Sequence, residues 1–324
     1  MMGTNWLTNP LTNRMVEPLT ILLLVMFGGA ALALLVLHLW HAFFPNHGIS
    51  VPISAASEKV LWQRYRTWAI ISFLFTGAVL SGPLAVAILC AFLCWQGGRE
   101  YAILTRMPTG HRFALVLGGW VTLAAVLVFG PAALAVAPVL AFFRSSALVL
   151  QPVKGEVEFG KRFTVGLTGL WGYFYLGWLP AFLLALSVGK APGLVLIVGI
   201  GVALSDVGAF CIGKALGGPK LAPHLSPGKT WSGVLGNLLG AALALILAGF
   251  ALPDLLLWQR LLFVLAIGLG SAWGDLLESL LKRQYGVKDA GELLPGFGGL
   301  LDRIDSLLLV APLIYYLALF LNLW

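Results

Sequence analysis

Charge is what this sequence has least of. Aspartate, glutamate, lysine and arginine make up 10% of its 324 residues, against roughly 25% in soluble domains, which leaves too few polar side chains to cover a globule in water. Cysteine is also scarce. Cys90, Cys94 and Cys211 are odd in number, lie in or beside apolar runs and have no partners at zinc-ligand spacing. That excludes a disulfide framework and reads as reduced core residues. His38, His41 and His47 lack acidic or cysteine partners, so no metal site is expected there. No A-x-A cleavage pattern follows the first apolar run, which reads as a retained span rather than a removed signal peptide. Alternating ten-residue strands, the mark of a membrane barrel, are missing as well.

What is present is apolar: 60% of the chain, with a mean hydropathy of +0.94. In hydrocarbon every backbone N–H and C=O must be paired within its own segment, and apolar runs of about 20 residues do this as helices. The expected fold is an all-α polytopic membrane protein with about ten transmembrane helices, several of them short and paired as hairpins. A first span covers Glu17–His41. The run Trp68–Trp95 breaks at Ser81-Gly82-Pro83 into one hairpin, and Phe113–Phe143 breaks at Gly130-Pro131 into a second. Further spans are expected over Thr164–Ser187, Gly193–Leu204, Val234–Leu252, Leu261–Trp273 and Leu307–Leu323. The net charge of +7 is spread over short loops rather than gathered on one face. This argues against nucleic acid and for anionic lipid headgroups. If the loops around Lys59, Arg99, Lys161, Lys214 and Lys282 face the cytoplasm, they hold 17 of the 20 basic residues, and both termini face away from it.

Against this background one stretch stands out. Six of the 13 acidic residues, Asp275, Glu278, Asp289, Glu292, Asp302 and Asp305, fall within Gly274–Asp305, interleaved with Lys282, Arg283, Lys288 and Arg303. Asp275, Glu278 and Lys282 share one helix face, and Asp302 and Asp305 are again three apart. Solvated ion pairs at a membrane boundary account for the cluster in one way. Carboxylates beside cations and the Gly-rich turn Pro295–Gly299 account for it in another, as a site where Mg²⁺ and a phosphate-bearing substrate meet. Upstream, Lys214, Lys220 and Lys229 stand among glycines in Ser205–Gly233, which reads either as the complementary phosphate-holding charge or as a basic loop on anionic lipid. Gly228-Lys229-Thr230 is no Walker motif, since Pro223 stands where its first glycine belongs. His224 is given no role.

At these two segments the sequence resembles the phosphatidate cytidylyltransferase family, the CDP-diacylglycerol synthases. The C-terminal signature S-x-x-K-R-x-x-x-x-K-D, a Pro/Gly turn and D-R-x-D stands here as Ser279, Lys282, Arg283, Lys288, Asp289, Pro295, Gly298, Gly299, Asp302, Arg303 and Asp305. The upstream S-D-x-G-A and K-L-A-P…S-P-x-K-T-x-x-G stretches stand as Ser205, Asp206, Gly208, Ala209, Lys220–Pro223, Ser226, Pro227, Lys229, Thr230 and Gly233. The resemblance covers about residues 200–306 and fades before them, where Arg99-Glu100-Tyr101 is a faint echo. Two positions depart from the pattern: Phe297 stands where the family has histidine, and Ser232 where it has glutamate.

The resemblance implies a metal-dependent reaction of CTP with phosphatidate that yields CDP-diacylglycerol and pyrophosphate. It implies Mg²⁺, with room for a second cation, and metal ligands Asp275, Asp302 and Asp305. Lys282, Arg283, Lys288, Asp289 and Arg303 complete the expected catalytic set. Asp206, Lys220, Ser226, Lys229, Thr230, Gly298 and Gly299 are expected to hold the nucleotide, and Glu278 to orient one of the bases. Residues 1–190 are then N-terminal membrane helices and residues 191–324 the catalytic region, with polar segments at 205–233 and 274–306. CTP, a membrane lipid phosphate and anionic lipids are the expected partners, and a homodimer is compatible with them. The expected location is a bacterial inner membrane with the site on the cytoplasmic side. Another lipid phosphate as substrate, a transporter and an inactive relative are the alternatives.

Overall fold

The computed structural model describes residues 6–9, 13–43, 55–149, 156–189, 191–287, 290–291, 293–296 and 298–323. In chain order they form α1 (Val16–Phe43), α2 (Ala55–Ser81), α3 (Pro83–Leu104), α4 (Thr109–Phe129), α5 (Ala133–Val149), α6 (Glu156–Gly172) and α7 (Ala181–Val188). Then come α8 (Gly193–Leu216), β1 (Lys220–Ala222), β2 (Ser226–Thr230), α9 (Trp231–Leu247), α10 (Leu257–Gln284) and α11 (Leu301–Phe320). A π turn, Tyr173–Trp178, joins α6 to α7. Counted as one rod, these two bring the described helices to ten.

Among the described residues six stretches are long and apolar enough to cross a membrane: Val16–Val36, Thr109–Phe129, Gly160–Val188, Gly193–Leu216, Leu257–Gln284 and Leu301–Phe320. The expectation of a polytopic helical protein holds, and the count of full spans is smaller than ten. α5 and α9 are apolar but only 17 residues long. α2 and α3, the first expected hairpin, are not short at 27 and 22 residues; polar ends carrying Arg64, Arg66, Arg99 and Glu100 keep them below the apolar threshold. The chain breaks where glycine and proline forecast it. Gly82 has φ 99° between α2 and α3, with Pro83 at the first helical position, and Gly130 has φ 73° between α4 and α5.

Several boundaries differ from the apolar runs, and three of these differences bear on the site. α8 continues past Leu204 to Leu216, α10 past Trp273 to Gln284, and α11 begins at Leu301 rather than Leu307. A helix satisfies its backbone internally whatever its side chains are, so polar residues on one face line a cavity without ending the span. The remainder of the Lys-rich segment is a small antiparallel hairpin, β1 with β2, pairing Lys220 with Thr230 and Ala222 with Ser226.

A continuous apolar core runs from Leu19 to Ala318, and Ala181–Leu186 of α7 lie at its centre with at most 1% exposure. Such a helix is apolar all round because neighbours cover every face. Phe182 packs edge-on against Trp178 and Tyr315. Cys90 and Cys94 are buried as expected, whereas Cys211 is exposed on α8 and is not a core residue. Close backbone approach sets the helices that matter for the site. A Cβ on Gly208, Gly236 or Gly240 would run into the facing backbone between α8 and α9, and one on Gly274 would lie 2.7 Å from the Asp305 carbonyl oxygen and from Ser306 Cα. α10 and α11 thus meet where both carry carboxylates.

Candidate active site

α8, α9, α10, α11 and the β hairpin enclose a cavity of about 720 Å³. α10 contributes Asp275, Glu278 and Lys282 from one face, as their spacing requires. α11 contributes Asp302 and Asp305 in its first two turns. Asp275, Glu278 and Asp305 each place one carboxylate oxygen within 4.8 Å of the other two. Glu278 is 1% and Asp305 5% exposed, and Glu278 Oε1 has no hydrogen-bond partner among the described residues. Three converging carboxylates repel one another unless a cation offsets their charge or a proton neutralises one of them. All three donors are hard oxygens and one buried oxygen is unsatisfied, which fits a small divalent cation such as Mg²⁺.

Cations stand around this group. Lys229, from β2, reaches Asp275 Oδ2 at 2.9 Å. Lys282 Nζ bridges two carboxylates, 2.6 Å from Glu278 Oε2 and 2.7 Å from Asp302 Oδ1. Arg303, Lys214, Lys220 and Asp206 also line the cavity. The hairpin is fixed by its own polar groups. Thr230 Oγ1 accepts from Gly233 N at 3.1 Å and caps α9. Ser232 Oγ lies 2.8 Å from Thr230 Oγ1 and donates to the Gly217 carbonyl oxygen. The serine that departs from the family pattern therefore ties the start of α9 to the end of α8. Arg283 is exposed and donates from Nε to the Leu225 carbonyl oxygen at 3.3 Å.

The residues predicted from sequence fall into three groups. Asp206, Lys220, Lys229, Thr230, Asp275, Lys282, Asp302 and Arg303 line the cavity, and Asp305 joins the carboxylate group behind it. Ser226, Arg283, Gly298 and Gly299 are not among its lining residues. Lys288, Asp289 and Phe297 lie outside the described residues. Asp302 stands differently from the other acids: Oδ1 takes Lys282, while Oδ2 accepts from Ala290 N at 3.1 Å and Gly299 N at 2.9 Å. Glu278, expected to orient one of the bases, pairs with Lys282 at 2.6 Å and also stands in the carboxylate group.

Little in the sequence marks what holds the Gly-rich turn. From α2, Arg64 Nε donates to the Gly296 carbonyl oxygen at 3.1 Å and Thr67 Oγ1 to that of Pro295 at 3.1 Å. From α3, Glu100 accepts from Leu300 N at 3.0 Å and Leu301 N at 2.8 Å. The one sequence signal was a charged triplet, Arg99-Glu100-Tyr101, at the end of an apolar run.

Comparison with known proteins agrees with this arrangement. Residues 62–321 match the cytidylyltransferase family, a range that takes in α3 and the turn it holds. A phosphatidate cytidylyltransferase of Brucella suis is 44% identical over 151 residues, covering 44% of this chain and 54% of the relative. The chloroplastic phosphatidate cytidylyltransferase 5 of Arabidopsis thaliana is 36% identical over 205 residues, covering 54% of this chain and 49% of the relative. The Escherichia coli protein YnbB, whose name states no activity, is 42% identical over 139 residues, covering 42% of this chain and 47% of the relative. The alignments thus span about half the length of the curated relatives. With the family match running over most of the chain and through every element that builds the cavity, this protein belongs to the cytidylyltransferase family.

Proposed function

We propose that the protein is a membrane nucleotidyltransferase that makes CDP-diacylglycerol and pyrophosphate from CTP and phosphatidate. A phosphate oxygen of the lipid attacks the α-phosphorus of CTP; the new P–O bond forms as the bond to the β-phosphate oxygen breaks, and pyrophosphate leaves. The observation that carries this reading is the convergence of Asp275, Glu278 and Asp305 with Lys229 and Lys282 on one cavity. Its supports are the names of the Brucella and Arabidopsis relatives. The attacking phosphate is ionised at neutral pH, so the residues have no proton to abstract. Their work is to position two anions and neutralise them.

Asp275, Glu278 and Asp305 would hold Mg²⁺, which when bound withdraws charge from phosphoryl oxygens. Lys229, Lys220 and Arg303 bind phosphate oxygens, and Lys282 orients Glu278 and Asp302. Asp302, expected among the metal ligands, we assign to fixing the turn between α10 and α11. Asp206 supports the group from α8. Ser226 and Arg283 shape the hairpin, and Gly298 and Gly299 shape the turn. With CTP labelled at the α-phosphate, purified protein in detergent with Mg²⁺ and phosphatidate puts label in the lipid; γ-label leaves in pyrophosphate. No labelled lipid from any of a panel of lipid phosphates sinks the reading.

We infer that this cavity faces the cytoplasmic side of a bacterial inner membrane, a reading that the distribution of basic loops supports. His224 is exposed at the tip of the hairpin. A cysteine there, with the three natural cysteines removed, reacts with an impermeant maleimide in inverted vesicles and not in intact cells. Labelling of intact cells reverses the orientation.

A further inference from the structure

We propose that Glu100 of α3 is a positioning residue for this site: its carboxylate sets the start of α11, and with it Asp302 and Asp305, against α10. Glu100 is 3% exposed. A buried carboxylate is costly unless its oxygens are satisfied, and here three donors reach it: Leu300 N at 3.0 Å, Leu301 N at 2.8 Å and Gln96 Nε2 at 2.9 Å. The first N–H groups of a helix have no partner within it and carry its positive end. Glu100 therefore acts as an N-terminal cap supplied by a helix some 200 positions away in the chain. Asp302 takes the neighbouring N–H groups of Ala290 and Gly299. Between them the two carboxylates take the N–H groups of Ala290, Gly299, Leu300 and Leu301.

The turn is shaped to admit this carboxylate. A Cβ on Gly299 would lie 2.7 Å from Glu100 Oε2, and one on Gly291 would lie 2.9 Å from Glu100 Cδ. Gly299, expected to bring backbone close to phosphate, brings it close to Glu100. Loss of the charge leaves one of Leu300 N and Leu301 N without an acceptor and lets the first turn of α11 shift, which displaces Asp305 relative to Asp275 and Glu278. Misplacement on this scale costs catalysis without removing a ligand.

The inference rests on the proposed function for its kinetic arm only, so the test reads Mn²⁺ affinity by electron paramagnetic resonance without substrate, alongside turnover. Glu100→Gln keeps shape but turns an amide N–H₂ towards backbone donors. It is expected to weaken Mn²⁺ binding about tenfold and to lower kcat about 100-fold with little change in the KM for CTP. Glu100→Asp keeps the charge and recovers part of both, and it carries the test if the glutamine variant does not fold. Thr122→Val removes a buried hydrogen bond to Tyr173 outside the site and serves as the purely structural control; its Mn²⁺ affinity per folded molecule is that of the parent. Variants of Glu100 that match the parent, or lose function only in step with the folded fraction, overturn the proposal. A parent that binds Mn²⁺ but makes no CDP-lipid overturns the function and leaves this inference standing; a parent that does neither overturns both.

Discussion

Asp302 and Asp305 are alike in the D-R-x-D motif and unlike in the folded protein. Asp302 has both oxygens engaged, by Lys282 and by two backbone N–H groups, whereas Asp305 accepts from Ser306 N at 2.8 Å and faces two other carboxylates. An asparagine at 302 presents an amide N–H₂ either to Lys282 or to the backbone donors. Asp302→Asn should therefore cost about 1–3 kcal/mol of stability, read as a lower melting temperature in detergent and EDTA. Asp305→Asn in the same buffer should melt at or above the parent, because one of three crowded charges is gone and Asn Oδ1 still accepts from Ser306 N. Equal losses in the two variants contradict the division of roles. Spacing alone made these residues candidates but could not separate them, since what distinguishes them is which backbone amides the turn delivers. Glu100 was harder still to read: its partners are 200 and 201 positions away, and only the fold brings them together.

At the scale of elements, the helices were legible wherever apolar runs end in Gly-Pro breaks, as at Gly82 and Gly130. They were misjudged where polar residues begin. Ser205 and Asp206 looked like the end of a span, yet α8 runs on through them, with Ser205 buried against Asn237 and Asp206 in the cavity wall, as α10 carries Asp275 and α11 carries Asp302. Hydropathy registers what a side chain costs in lipid, and a side chain facing a polar cavity does not bear that cost. The approach of α10 to α11 rests on Gly274, where a Cβ would lie 2.7 Å from the backbone of Asp305 and Ser306. Gly274→Ala should force the two helices apart, at about 1–3 kcal/mol of stability, and weaken Mn²⁺ binding along with turnover. A variant that melts and binds Mn²⁺ like the parent would show that α11 has slack to accommodate a methyl group.

At the scale of the molecule, scarcity of charge identified a membrane protein before any motif was read, and the few charges left located its site. The cavity could not be read that way, because it draws on segments from residue 206 to residue 303 and its turn is held from α2 and α3. Helices that carry no motif supply that brace. The family match beginning at residue 62, in α2, agrees with their belonging to the working unit. In the proposed function, nucleotide transfer depends on a cation site formed by Asp275, Glu278 and Asp305. The most direct test is Mg²⁺-dependent transfer of α-label from CTP to phosphatidate, with the parent and Asp305→Asn purified side by side. The parent should put label into lipid, with EDTA abolishing the transfer, and a fully folded Asp305→Asn protein should lose at least about 100-fold of it. Transfer by Asp305→Asn at the parent's rate and Mg²⁺ requirement would contradict that dependence.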